Sequence, residues 1–255
     1  MSALHLNINN EIAELRLDNV DKLNCLTVSM LEALESHCNT LEKNPDVRVV
    51  LLTAEGDHVF CAGADISAWG DLAPFDFSRD WIRHGHRVFN RLARLVQPTI
   101  AVVKGHAIGG GLELITACDL RVSSPRATFG MPETSIGVVP GWSGTQRLAR
   151  HIPPAILKEM TLFGSRLTAK RVYEIGFINM ISDDPYATAF EMAEQILNKS
   201  PRANEVTKYM LNAAHNEDTE AMIEALGGGM ISSTKDKAEG VLSFREKRKP
   251  DFSGK

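Results

Sequence analysis

The chain has 255 residues, of which 44% are hydrophobic and 24% are charged, a composition typical of a globular protein with a sizeable core. Its formal net charge of -4 at pH 7 argues against the basic surface that nucleic-acid-binding proteins use, so we expect no nucleic-acid partner. The strongest apolar run, Thr99 to Val103, is followed by Lys104 and is too short to span a membrane. The amino-terminal residues alternate between polar and apolar, which is a strand pattern and not a targeting signal, and we therefore expect a cytoplasmic protein.

The cysteine spacing predicts neither a zinc site nor a redox pair. No C-x-x-C pair occurs among the cysteines, which are Cys25, Cys38, Cys61 and Cys118. Unpaired cysteines with apolar neighbours are typical of a reducing compartment. We expect no bound metal and no separate cofactor.

Strand and helix patterns alternate over the first half of the chain. Two short segments around Asn9-Asn10 predict a hairpin, and two continuous apolar runs are typical of strands buried on both faces. The predicted strands are residues 4–8, 12–17, 49–52, 99–103, 120–123 and 128–129. Apolar residues at helical spacing predict helices at residues 28–43, 78–96 and 109–118. This alternation predicts an α/β fold with parallel crossovers.

Helical patterns dominate after about residue 185. They cover residues 189–197, 206–214, 219–226 and 238–244. The glycine run at 227–229 is predicted to interrupt one of them. We predict an α/β core over residues 1–190 and a helical region over residues 191–255, which either covers the core or packs against a neighbouring subunit.

Two glycine-rich turns each connect a predicted strand to a helix. In the first, residues 60–66, Asp65 can cap the following helix and the N–H of Ala64 can face a ligand oxygen, although an ordinary strand–helix connection has the same composition. In the second, residues 103–111, the free N–H groups of a helix N-terminus favour negative charge. The sequence lacks the G-x-G-x-x-G spacing and the Lys-Ser/Thr pair of phosphate-binding loops there. We therefore predict an oxyanion hole whose donors are the N–H groups of Ala64 and Gly110.

Two glutamates lie beside these glycine-rich segments in apolar surroundings. Glu113 follows the glycines at 109–111, and Glu133 follows Gly130-Met131-Pro132. Burial of a carboxyl group raises its pKa, and two such groups facing one cavity can give and take protons near neutral pH. Two alternatives are open: Glu113 caps its own helix, and Glu133 is a surface residue after a proline turn. The shared setting favours acid–base chemistry beside an oxyanion hole.

Other candidate residues have weaker patterns. His84 and His86 are two positions apart and point to different sides of a helix, which argues against a ligand pair. The segment 141–144 only loosely resembles a nucleophile elbow, and no Asp/His pair completes a triad, so Ser143 is not predicted to be a nucleophile. The basic segment 244–249 either compensates a helix dipole or contacts phosphate.

Six motifs, taken in order and spacing, resemble the enoyl-CoA hydratase/isomerase (crotonase) superfamily over almost the whole chain. They are residues 21–26, 60–66, 105–114, 131–133, 141–148 and 239–247. The resemblance implies an α/β spiral of β–β–α units in two near-perpendicular sheets. It also implies that the helical region 191–255 contacts CoA and builds homotrimers, often paired into hexamers. The implied ligand is an acyl-CoA thioester, with coenzyme A as part of the substrate.

The resemblance also implies a role for each candidate residue. The thioester oxygen would lie between the N–H groups of Ala64 and Gly110, and Gly141 would lie where a helix N-terminus polarises the thioester. Glu113 would position and activate water, and Glu133 would supply a proton to C2. The remaining matched positions line the CoA site: Lys22, Ala62, Asp65 and Ile66 in the groove, and Phe244 and Lys247 at the adenine and phosphate end.

We therefore predict an enoyl-CoA hydratase, a lyase that adds water syn across the C2=C3 bond of a trans-2-enoyl-CoA to give a 3-hydroxyacyl-CoA. The alternative within the superfamily is a double-bond isomerase or another CoA-thioester lyase. A different class, a non-catalytic or RNA-binding hydratase-like protein, would show a lysine-rich face and lack the two glutamates. The pathway is open between fatty-acid β-oxidation and aromatic or branched-chain acid catabolism.

Two departures from the family pattern concern the acyl group. Trp142 and Ser143 replace the small residues usual after Gly141, and a bulky indole there would shorten or reshape the acyl pocket. Four aromatic residues fall in a segment that is variable in the family: Trp69, Phe75, Phe77 and Trp81. We interpret them as packing under a loop, with a non-standard acyl group as the alternative.

Overall fold

The computed structural model describes residues 2–255, which form two compact units. The first unit ends at Glu205, and the second is Val206–Lys255. Among the described residues, no helix is long and apolar enough to cross a membrane. Both candidate glutamates and both glycine-rich turns lie in the first unit.

The strands of the first unit are short apart from the amino-terminal hairpin. They are β1 (Ala3–Asn9), β2 (Ile12–Asp18), β3 (Val49–Ala54), β4 (Val59–Cys61), β5 (Thr99–Val103), β6 (His106–Ile108), β7 (Leu120–Ser123), β8 (Thr128–Gly130), β9 (Leu167–Thr168) and β10 (Met180–Ile181).

Helices connect these strands and then form the end of the chain. They are α1 (Val28–Glu42), α2 (Pro74–Asp76), α3 (Arg83–Ala93), α4 (Gly110–Thr116), α5 (Gly144–His151), α6 (Pro154–Leu162), α7 (Ala169–Glu174), α8 (Pro185–Leu197), α9 (Pro201–Ala214), α10 (Thr219–Ser232) and α11 (Lys235–Glu246). A π-helix, Phe77–Ile82, joins α2 to α3, and short 3-10 helices lie at Val20–Lys22, Ile66–Ala68 and Glu133–Ile136.

The larger sheet has the strand order β1-β2-β3-β5-β7-β10. The predicted hairpin is confirmed: β1 and β2 pair antiparallel, and the remaining neighbours pair parallel. Every residue of β5 is buried, as its continuous apolar run predicts, because helices cover both faces of a parallel sheet. On one face α8 packs against β3, β5 and β7 and fully buries Ala189 and Ala193.

The smaller sheet has the order β4-β6-β8-β9. Its first three strands are parallel, and each directly follows a strand of the larger sheet. The turn between β5 and β6 requires a glycine, because a Cβ atom on Gly105 would lie 2.2 Å from the backbone carbonyl of His58. In the pairs β3–β4, β5–β6 and β7–β8 the chain therefore visits both sheets before it continues into helices, which is the β–β–α repeat that the family resemblance implies.

The predicted elements differ from the structure in two informative places. The helix predicted over residues 78–96 ends at Ala93, and its first part is the π-helix. The prediction that the glycines at 227–229 interrupt a helix is wrong, since α10 runs through them to Ser232. Glycine lowers helix stability without forbidding helical dihedral angles, and no atom lies within 4 Å of the Cβ positions of these three residues.

The sequence patterns did not reveal β6, β9, β10 or the helices α5 to α7. Strands of two or three residues are too short to show a periodicity of two. These elements therefore form because neighbouring strands and helices hold them in place.

The second unit contains the end of α9 together with α10 and α11. Thr234 caps the start of α11 by accepting a hydrogen bond from the N–H of Lys237, and Lys247 ends it in the left-handed conformation. The carboxylate of Asp236 accepts hydrogen bonds from the N–H groups of Ser253 and Gly254, which ties the C-terminus to α11. Several apolar side chains of this unit are more than half exposed: Met210, Leu211, Ile223, Met230, Ile231 and Phe244.

Candidate active site

A cavity of about 440 Å³ lies in the first unit at the carboxyl ends of the parallel strands β4, β6 and β8. Cys61 pairs with Ala107 and Ile108 pairs with Gly130, so the segments that follow these strands meet at one edge of the smaller sheet. Residues 62–64, 108–110 and 132–136 consequently line one cavity. Sheet topology therefore unites the two glycine-rich turns with the segment that contains Glu133.

The amides of Ala64 and Gly110 are adjacent in this cavity. A parallel bridge to Leu26 uses the carbonyl of Gly63 and the N–H of Asp65, so the N–H of Ala64 points away from that bridge. The N–H of Gly110 belongs to the first residue of α4, where no intrahelical acceptor exists. A Cβ atom on Gly110 would lie 3.5 Å from the nitrogen of Ala64. The two N–H groups are thus close enough for one oxygen atom to meet both.

Glu113 is 3% exposed and projects from α4 to the wall of the cavity. Its Oε1 accepts hydrogen bonds from the backbone N–H groups of Trp142 and Gly144, both at 2.8 Å. Burial raises the pKa of Glu113 to about 7, the two amides oppose that rise, and the charge of Glu133 adds to it. The side chain bonds these amides, so the alternative in which it caps its own helix is wrong.

Glu133 begins a 3-10 helix after Pro132 and lines the same cavity as Gly110 and Glu113 of α4. Its Oε1 lies beside Gly109, because a Cβ atom there would be 2.8 Å from that oxygen. Within residues 2–255 its Oε2 is buried without a hydrogen-bond partner. Burial raises the pKa of this carboxyl group, so Glu133 is not the ordinary surface residue of the alternative interpretation.

Hydrogen bonds join the loop 141–144 and the start of α5 to α3. The Ser143 hydroxyl makes a hydrogen bond with Nδ1 of His86 at 2.9 Å, and Ser143 itself has a φ of 77°. Nη2 of Arg147 donates to Oδ1 of Asn90 at 2.6 Å. In the described part of the chain the cavity lining does not include Ser143. Its effect is to fix the turn that presents two amides to Glu113.

Aromatic side chains form much of the cavity wall. Trp69, Phe77 and Trp81 line it together with Trp142, whereas Phe75 is 82% exposed. The π-helix brings Phe77 and Trp81 to the cavity from one turn. The interpretation that this segment merely packs under a loop is therefore incomplete, because three of its four aromatic residues contact the space that a ligand would fill.

The residues predicted for the CoA groove divide into two sets. Ala62 and Ile66 line the cavity, and Ile66 is 54% exposed. Nζ of Lys22 lies 3.0 Å from the carboxylate of Asp65, beside the same turn. A hydrogen bond from the hydroxyl of Ser67, followed by the contact with Lys22, lowers the pKa of Asp65. The four residues thus lie along one margin of the cavity and its rim.

Gly141 lines the cavity, and a Cβ atom on it would lie 2.5 Å from Cδ1 of Ile82. The following helix, α5, begins at Gly144. Phe244 and Lys247 belong to the second unit, where Phe244 is 85% exposed and Lys247 ends α11.

Sequence reasoning missed the amides of Trp142 and Gly144 as partners of Glu113. The only trace in the sequence is the glycine at position 144. The structure explains it, since a Cβ atom there would lie 2.6 Å from Cγ of Glu113. It also missed Ser135 and Arg166, which line the cavity. In residues 2–255 no group of three His, Cys, Asp or Glu side chains could hold a metal ion.

Comparison with known proteins links this geometry to one family. The chain matches the family model described as Enoyl-CoA hydratase/isomerase over residues 7–255. It is 35% identical to a putative enoyl-CoA hydratase/isomerase, YngF, of Bacillus subtilis, over 96% of each chain. It is 32% identical to the crotonyl-CoA hydratase of Syntrophomonas wolfei, over 96% of this chain and 95% of that protein. The crystal structure of an enoyl-CoA hydratase from Bacillus anthracis is similar, with a TM-score of 0.80, 30% identity and 99% coverage of each chain.

Proposed function

The chain belongs to the enoyl-CoA hydratase/isomerase (crotonase) superfamily, and from that premise we propose that it hydrates trans-2-enoyl-CoA thioesters. Its α/β fold of two mixed sheets followed by helices is the crotonase fold. Proteins of this family bind acyl-CoA thioesters. The proposal adds the reaction and assigns its residues.

One observation carries the proposal: two buried carboxyl groups with raised pKa values line one cavity beside two adjacent amides. Hydration of an enoyl thioester needs a donor pair for the carbonyl oxygen, a base for water and an acid for C2. Ala64 and Gly110 supply the donor pair, and Glu113 and Glu133 supply the base and the acid.

The amide pair polarises the thioester. Its N–H groups donate to the carbonyl oxygen and stabilise the enolate charge that develops there as water attacks C3. Gly141, at the start of the loop that leads into α5, is assigned to further polarisation of the thioester carbonyl. These donors are part of the folded backbone, so they need no reorganisation during the reaction.

The two glutamates move the protons. Glu113 takes a proton from water as the oxygen of water bonds to C3, and Glu133 gives a proton to C2 on the same face. Because the carboxyl groups interact, their titration belongs to the pair. The amide donors on Glu113 oppose the rise in pKa that burial causes, so its pKa is about 7 and an ionised fraction is present near neutral pH to act as the base.

The coenzyme A part of the substrate would run along Lys22, Ala62, Asp65 and Ile66. Lys22 offers a cation at the rim, where its side chain is 59% exposed. Phe244 and Lys247 would meet the adenine and phosphate end, since an exposed aromatic ring and an ammonium group suit stacking and phosphate contact.

The test is hydration of crotonyl-CoA, followed as the loss of the conjugated thioester absorbance. We expect turnover by the unmodified protein and a loss of at least about 100-fold in kcat for Glu133→Gln, because general acid–base groups contribute that much or more. Glu191→Gln, the same substitution at an exposed position of α8, is the matched control and should keep full activity.

Product analysis separates hydration from the alternatives. A shifted double bond without any 3-hydroxyacyl product would contradict the hydratase proposal and indicate an isomerase. Equal rates for Glu133→Gln and the unmodified protein would contradict the role of Glu133.

We further propose that the protein assembles as a homotrimer or a hexamer. The second unit leaves several large apolar side chains more than half exposed, among them Ile223 and Met230 on α10. Exposed apolar surface of this kind is typical of protein interfaces. No disulfide joins cysteines within residues 2–255, which supports a reducing compartment such as the cytoplasm.

A further inference from the structure

The side chain of Trp142 is tightly packed in the cavity wall. It is 2% exposed, and its ring contacts those of Trp81 and Phe89 at centroid distances of 5.0 and 5.2 Å. Two elements flank it, since Cβ atoms on Gly85 of α3 and on Gly110 of α4 would lie 2.2 and 3.0 Å from indole atoms. The indole is therefore wedged between α3 and the residue that supplies an oxyanion donor.

The residues around Trp142 leave room for its indole ring. Glycine inside a helix is unfavourable relative to alanine, yet α3 has Gly85 at the one position where a methyl group would strike Nε1 of Trp142. Within the described residues this Nε1 is buried without a hydrogen-bond partner. A buried unpaired donor is also unfavourable. Both features accompany an indole that forms part of the cavity wall, which favours a role for its shape in the site.

The position of the indole relates it to the acyl group. The proposed reaction requires C2 and C3 of the substrate to lie between the amides of Ala64 and Gly110 and the carboxyl groups of Glu113 and Glu133. The backbone N–H of Trp142 donates to Glu113, and its ring packs on Gly110. An acyl chain that extends from C3 toward α3 would meet the indole face.

We propose that Trp142 is the specificity-determining residue of the site, ending the acyl pocket so that it takes short-chain enoyl thioesters. This inference rests on the proposed function. Removing the ring would open the space between the cavity and Gly85. A hydrophobic pocket distinguishes substrates by about 10- to 200-fold for each methylene that fails to fit.

The experiment compares trans-2-enoyl-CoA substrates of four, six, eight and ten acyl carbons by kcat/KM. For the unmodified protein we expect a fall of about 10-fold or more from the shortest to the longest. For Trp142→Ala the ratio of long-chain to short-chain kcat/KM should rise at least about 10-fold, and Trp142→Phe should lie between the two. An unchanged ratio in a folded Trp142→Ala protein, or a long-chain optimum in the unmodified protein, would overturn the proposal.

Two further measurements keep the test decisive. Phe89→Leu removes a ring that contacts Trp142 but does not line the cavity, so its loss of packing should leave the chain-length ratio unchanged. If Trp142→Ala does not fold, Trp142→Phe decides alone: a raised ratio of long-chain to short-chain kcat/KM supports the proposal, and an unchanged ratio overturns it.

Binding of the non-reactive butyryl-CoA and decanoyl-CoA, measured by calorimetry, tests the pocket independently of hydration. Tighter binding of butyryl-CoA together with no turnover would support the pocket and reject the hydratase; tighter binding of decanoyl-CoA by the unmodified protein would reject the pocket.

Discussion

Glu113 illustrates how single residues are held away from their ordinary chemistry. Its carboxyl group is buried, and two backbone amides fix one oxygen, which leaves the other for water. The effect of burial is larger than that of the two amide hydrogen bonds, so the pKa of Glu113 rises to about 7. An acid with a raised pKa retains its proton in the folded state at a pH where the unfolded chain has released it.

This linkage predicts the effect of Glu113→Gln on stability. The folded pKa is raised, so the contribution of Glu113 to stability is lost as pH rises from about 4.5 through about 7. Glutamine does not ionise, so the variant should be more stable than the unmodified protein at pH 8, by up to about 3 kcal/mol, and no more stable near pH 4. Denaturant unfolding at fixed protein concentration measures the difference at each pH. A difference that is the same at pH 5 and pH 8 would show that Glu113 is ionised normally in the folded protein.

At the scale of elements, α4 and β4 are in close contact beside the two amides that we propose as oxyanion donors. A Cβ atom on Gly111 would lie 2.3 Å from the backbone oxygen of Cys61, at the end of β4. The helix therefore approaches the strand as closely as a glycine allows. Gly110 directly precedes Gly111, and Ala64 follows Cys61 by three residues, so we expect the separation between the elements to affect the separation between the two amides.

Gly111→Ala should separate α4 from β4. We expect a destabilisation of about 1–3 kcal/mol from overpacking and a loss of about 100-fold in crotonyl-CoA hydration from displaced donors. Gly240→Ala is the matched control, because its Cβ would meet only ordinary contacts, 3.6 Å from Phe252, and should stabilise α11 by about 1 kcal/mol. Unfolding curves and kcat measure both effects. Full activity in Gly111→Ala would show that the donor spacing does not depend on this contact.

At the scale of the whole molecule, the two units differ in how they bury apolar surface. The first unit has continuous hydrophobic clusters around both sheets. In the second unit, α10 contains three successive glycines, and none of their Cβ positions has an atom within 4 Å. Together with the exposed apolar residues beside them, these glycines are consistent with a surface that another copy of the chain approaches closely.

Ile223→Lys should therefore weaken the proposed assembly. Ile223 is 67% exposed on α10, and a buried unpaired ammonium group at a subunit interface is strongly unfavourable. Light scattering should show a trimer or hexamer for the unmodified protein and smaller species for the variant. Ile8→Lys, which places the same charge on a 44% exposed position of β1, should keep the assembly. A monomeric unmodified protein at working concentration would reject the assembly.

Several features followed from the sequence because they depend on local patterns. Alternation over five or six residues predicted the strands of the hairpin, helical spacing predicted α1 and the later part of α8, and continuous apolar runs predicted β3 and β5. The motifs and their order identify the superfamily from residue types and spacing alone. Glu113 and Glu133 were recognisable because ionisable residues in apolar, glycine-rich segments are unusual. Their catalytic roles stay predictions.

Other features were decided only by the tertiary structure, because they depend on atoms far apart in the chain. The wedge of Trp142 between Gly85 and Gly110 joins three segments, and no local pattern in any of them indicates the other two. The amides that hold Glu113 come from a loop 29 and 31 residues later. The sequence by itself determined the family, the core elements and the candidate acid–base pair, since these are written in residue types and spacing. Only the packing of two sheets decided which amides, rings and carboxyl groups share one cavity.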